Sequence, residues 1–79
     1  MKRTLQVVKL ILDDGAMTNA QIASKLSVQR RMVDQCMRQM KDGGSAKQVV
    51  VNGVKHWYID KDCKLPQGIT HAEVLELWN

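Results

Sequence analysis

Apolar residues recur along this chain at two spacings, and the switch between them marks its elements. Leu5, Val8 and Leu12 stand at helical spacing, with Val7 and Ile11 widening the stripe, so the pattern predicts an amphipathic first helix. Gly15 follows, a residue that tolerates the left-handed conformation in which helices often stop. Residues 17–22, Met-Thr-Asn-Ala-Gln-Ile, then carry the signature of a second helix start. Thr18 can accept from the backbone N–H three residues on, and Gln21 can reach back to the Thr18 N–H. Met17 and Ile22 stand where an apolar staple would clamp the first turn. Ile22, Ala23 and Leu26 give this short helix one apolar face, and Ser27 interrupts it.

A third helix is expected over residues 29–40. Val33, Cys36, Met37 and Met40 fall at i, i+3, i+4 and i+7 and so face the core. Val28 and Val33 fit a second staple. The N-cap is either Gln29, a poor cap, or Ser27. Asp42-Gly43-Gly44-Ser45 ends the helix.

The period then drops to two. β-Branched and aromatic residues fill 47–51 and 54–59 on either side of Asn52-Gly53. That pair is preferred in a two-residue type I′ turn because both residues tolerate positive φ. The turn fixes the register, with Val51 opposite Val54 and Gln48 opposite Trp57. One face then carries Val49, Val51, Val54 and Tyr58, and the other Ala46, Val50, Trp57 and Ile59. Neither face is cleanly polar, so part of both is expected to be covered.

After a loop over 61–68 that holds Pro66, Thr70 and Glu73 form another capping box, and Ile69 and Val74 another staple. A last helix through Trp78 follows, with Val74, Leu75, Leu77 and Trp78 apolar. It either closes the chain's own core under Trp57 or Tyr58, or forms a homodimer interface. The first is favoured, because a chain this small needs every apolar residue it has. The expected fold class is therefore mainly α with a small β-hairpin: residues 1–60 form the core, and 61–79 a loop and helix packed on it or on a second copy.

Composition narrows the function. A chain of 79 residues is one domain and buries roughly 60% of its unfolded surface, too little to house a deep substrate cleft as well. The formal charge is +4 and favours an anionic partner. Lys2, Arg3 and Lys9 make the first twelve residues purely basic. Residues 20–60 hold seven basic side chains (Lys25, Arg30, Arg31, Arg38, Lys41, Lys47, Lys55) against three acidic ones (Asp34, Asp42, Asp60). The leading apolar stretch is broken by Gln6 and Lys9 and ended by Asp13-Asp14, so no signal peptide or membrane span is expected. Cys36 and Cys63 make no disulfide framework, and a cytoplasmic protein with reduced thiols is the expectation.

The order of helix, short helix, tight turn, helix and hairpin resembles the winged helix-turn-helix family of DNA-binding domains. The residues that carry the resemblance are Thr18, Gln21-Ile22-Ala23, Leu26, Val28, Val33, Met37, Met40 and Gly43, and with the hairpin it extends over roughly residues 4–60. Ser27 stands where the family often has Gly, and Gln29 where it often has Ser or Thr. The resemblance implies a small regulator of transcription, of a kind found in bacteria and their phages. Its third helix would lie in the major groove of double-stranded DNA and its hairpin would serve as the wing.

With Val33, Cys36, Met37 and Met40 turned inward, Gln29, Arg30, Arg31, Asp34, Gln35 and Arg38 are left on or near the exposed side. Arg30, Asp34 and Arg38 share one stripe, and Arg31 and Gln35 the next. Arg can pair with guanine O6 and N7, and Gln with adenine N6 and N7. Asp34 can accept from cytosine N4 or hold Arg30 or Arg38 in position. The plainer alternative is a solvated face laced by i, i+4 Arg–Asp pairs. Thr18, Asn19 and Lys25 can touch phosphates near a helix start, with capping the main role of Thr18. At the hairpin tip, Asn52, Gly53 and Lys55 can reach a minor groove or a phosphate. Lys2 and Arg3 read more simply as a frayed, solvated terminus than as a basic arm.

No two of His56, His71, Cys36 and Cys63 stand at zinc-ligand spacing, and no nucleophile elbow, phosphate loop or carboxylate pair is present. Neither a cofactor nor catalysis is expected. Two rivals remain: a protein-binding adaptor that uses the apolar hairpin with Leu77 and Trp78, and an accessory DNA protein in recombination or replication. RNA binding is weaker, since the few aromatics offer little for bases to stack on.

Overall fold

The structure is a computed structural model that describes residues 2–76. Four helices and one antiparallel hairpin follow in the order α1 (Arg3–Asp14), α2 (Asn19–Leu26), α3 (Arg30–Asp42), β1 (Lys47–Val51), β2 (Val54–Tyr58) and α4 (His71–Glu76).

The first three helices converge on one core. Val7, Val8 and Ile11 come from α1, Ile22 and Ala23 from α2, and Val33, Met37 and Met40 from α3, closed by Met17, Ala46 and Trp57. Ile22 and Met37 have no exposed surface. Burying a side chain of that size contributes about 1.5–3 kcal/mol. The stripe of α1 departs from expectation at one end: Leu12 sits in the exposed last turn beside Asp13 and Asp14, while Leu10 packs partly against the core. Cys36 is half-buried at the core edge, its sulfur 3.9 Å from Thr4 Oγ1.

Both helix starts with capping boxes form as the sequence indicates. The Gln21 N–H donates to Thr18 Oγ1 and the Thr18 N–H to Gln21 Oε1. Helix α3 opens on Gln29 with no side-chain cap, and it runs two residues beyond Met40. Ser27 ends α2 instead, in the left-handed conformation at φ 55°. The Val28 N–H then reaches the Ala23 carbonyl and the Ser27 N–H the Ser24 carbonyl, so the last turn of α2 closes on its own backbone. A residue with a side chain thus occupies a left-handed position that favours glycine.

The hairpin keeps the expected register, Lys47 opposite Tyr58 through Val51 opposite Val54, with Asn52 and Gly53 both at positive φ. Trp57 anchors it. Its N–H and C=O both bond to Met17, so the α1–α2 connection lies along the outer edge of β2. Only the base of the hairpin is buried. Ala46 and Trp57 face the core, whereas Val49, Val51, Val54 and above all Val50 (63%) stay exposed. The covering expected for part of both faces is confined to that base.

Helix α4 also departs from expectation. None of its described residues is buried, Leu75 is 64% exposed, and no described residue of the helix joins the core under Trp57 or Tyr58. Ile69, just before the helix, is buried instead, as is Pro66 in the preceding loop. The Thr70–Glu73 box forms, and Lys2 ties the segment to the chain start, donating to the Gly68 carbonyl at 2.6 Å and pairing with Glu73 at 3.4 Å. Lys2 is thus a tether rather than a frayed end, and Arg3 donates to Gln6 within α1. Leu77 and Trp78 lie outside the described residues. No helix among the described residues is long and apolar enough to cross a membrane.

Candidate functional site

Helix α3 presents one face to the core and the opposite face to solvent, and the candidate residues sit on the latter. Gln29, Arg30, Arg31, Gln35 and Arg38 are exposed. Among the described residues, Arg30, Arg31 and Arg38 form no ion pair. The lacing of this face by Arg–Asp pairs is therefore not seen.

Asp34 has another partner. Its carboxylate accepts from Asn19 Nδ2 at 2.6 Å, and Asn19 Oδ1 accepts from Trp57 Nε1 at 2.5 Å. One side chain at the start of α2 thus joins the middle of α3 to the buried tryptophan of β2. Both Asn19 and Asp34 are half-buried. The expectation that Asp34 holds Arg30 or Arg38 gives way to this bond, because Asn19 is the donor that reaches it. Asn19, expected to face a phosphate, has its amide committed inward on both sides.

The remaining candidates divide. Thr18 caps α2 through its hydroxyl. Lys25 is exposed and pairs with Asp14 at 3.3 Å. Asn52 and Lys55 lie exposed at and beside the hairpin turn. One residue passed over in the sequence joins the face: Lys41, three positions beyond Arg38, is exposed and donates to Gln48 Oε1 on β1 at 3.3 Å. Its spacing from Arg38 was the available signal.

The perturbed titrations lie away from this face. Lys47 is raised and Asp60 lowered, in each case chiefly by the 2.9 Å hydrogen bond between them at the hairpin base. Glu73 is lowered first by the Thr70 N–H and then by the charge of Lys2. A recess of about 660 Å³ opens between the start of α1, the end of α3 and the 64–67 loop, lined by Thr4, Cys36, Ser45, Lys64 and Pro66 among others. No three His, Cys, Asp or Glu side chains gather there or elsewhere among the described residues in a way that could hold a metal ion.

Compared with family models, with curated proteins and with solved structures, the chain has no match.

Proposed function

We propose that this chain is a winged helix-turn-helix domain that binds double-stranded DNA and regulates transcription. In this reading α3 enters the major groove and the β1–β2 hairpin acts as the wing. The arrangement of four helices and one hairpin is compatible with that layout. The observation that carries the reading is the solvent face of α3, with three exposed arginines that have no protein counter-charge among the described residues. A helix of 13 residues is about 20 Å long and fits a groove about 12 Å wide. Asn19 and Asp34 take a different part from the one first expected: they set the angle of α3 against the wing. Lys25 stays available to a phosphate, because an exposed ion pair such as Lys25–Asp14 is worth only about 0–1 kcal/mol.

The test is fluorescence anisotropy with random-sequence duplex at several salt concentrations, using the wild type and the Arg30→Ala/Arg31→Ala/Arg38→Ala variant. The wild type should bind with an affinity that falls steeply with salt. The variant should bind at least ~10-fold more weakly, with a salt slope shallower by about 2–3 units if the three arginines meet phosphates. Equal affinity and slope in both proteins would refute the reading.

The exposed valines of the hairpin favour one second reading, a protein-binding adaptor. There the triple arginine variant would keep its partner, and duplex DNA would not bind.

A further inference from the structure

The two edges of the hairpin differ. In a two-residue hairpin the residues flanking the turn exchange backbone bonds, so Val51, Val49 and Lys47 direct their N–H and C=O groups toward β2. Those of Gln48 and Val50 therefore point away from it. The bonding of Trp57, opposite Gln48, agrees with this, since its own outward groups go to Met17. The β2 edge is covered there. On the β1 edge, the outward groups of Gln48 and Val50 have no backbone partner among the described residues, and residues 48–50 are exposed. The strand has no proline, and its one charge, Lys47, is held by Asp60. An open apolar edge of this kind is a template for strand addition.

We infer that β1 pairs with β1 of a second copy of this chain, antiparallel about a two-fold axis at Val49, to give a four-stranded sheet. Strand register supports this partner above others. With Val49 opposite Val49, Gln48 and Val50 of each copy exchange both backbone bonds with Val50 and Gln48 of the other, and all the open groups are satisfied. The same register sets Lys47 against Val51, so no like charges meet. It also joins Val49, Val51 and Val54 of both copies into one apolar band. Duplex DNA is a poorer match here, because residues 48–51 carry no charge and the single cation of the strand, Lys47, lies at its far end, bonded to Asp60 at 2.9 Å. With the β2 edge covered at Trp57, pairing closes at two copies and does not propagate. This interface is separate from the α4 surface and does not depend on the DNA-binding reading.

Sedimentation velocity up to about 1 mM protein tests it, with Val49→Lys and Val50→Pro as variants. Val49 and Val50 are exposed, so both variants should keep the fold, checked by circular dichroism and by the indole N–H resonance of Trp57. The wild type should sediment as a dimer. Val49→Lys places two like charges at the axis, and Val50→Pro removes one outward N–H while leaving the bonds to β2; each should yield monomer. A wild type that stays monomeric up to that concentration overturns the inference. So does a dimer that survives Val49→Lys, whether it then dissociates with Leu75→Lys on α4 or not.

Discussion

Asn19 shows how much a single residue can carry in a chain this short. Its amide accepts from the Trp57 indole and donates to Asp34, so it links three elements through two hydrogen bonds. Asn19→Ala leaves the N–H of a buried indole without its acceptor and Asp34 without its donor. The loss should lower the unfolding free energy by about 1–3 kcal/mol. The Trp57 indole resonance should move, and its exchange with water should quicken. Chemical denaturation and a proton spectrum of the variant check both; unchanged stability and an unmoved resonance would show that the link carries no weight. This contact could not be read from the sequence. Trp57 lies 38 residues from Asn19, and periodicity identifies which residues turn inward without saying which polar group meets them. The same holds for Lys2, whose partners Gly68 and Glu73 are brought close only by the return of the last loop.

At the scale of elements, local chemistry was most legible where it closes within a few residues. The capping boxes at Thr18 and Thr70 and the Asn52-Gly53 turn formed with the bonds and register their spacing implies. The α2–α3 turn adds a testable feature. Ser27 holds φ 55°, a conformation that costs a residue with a side chain about 1–2 kcal/mol and glycine far less. Ser27→Gly should therefore be at least as stable as the wild type, since relief of strain offsets the greater entropy of an unfolded glycine. Ser27→Val should be less stable by about 1–2 kcal/mol, its branched side chain being poorly suited to the left-handed region. Urea denaturation of the pair decides this, and a valine variant as stable as the wild type would contradict the turn geometry. Elements failed expectation where the outcome depended on what lay opposite. Of the apolar residues expected to close the core or a dimer interface, Val74 and Leu75 are not buried, while Ile69 and Pro66 in the preceding loop are. The pattern of the hairpin implied partial covering without saying where it falls, and it falls at the base.

At the scale of the molecule, the exposed arginines and the exposed valines lie on different elements. The arginines of α3 face solvent along one side, and the open valine edge of β1 lies on the hairpin that follows. The two surfaces suit different partners: the first a polyanion, the second another apolar strand. Residue types and helical spacing placed the arginines on the outer face of α3. What occupies that face is the central claim, and nothing in the sequence alone separates a DNA-binding helix from a solvated one.

An NMR titration with random-sequence duplex DNA at two salt concentrations tests that claim most directly. Binding through the α3 face and the wing should shift the amides of residues 29–38 and of Asn52 and Gly53, with an affinity that falls steeply as salt rises. Amides of those residues that stay unmoved at low salt would contradict it, and the apolar edge of the hairpin would be left as the surface through which this protein acts.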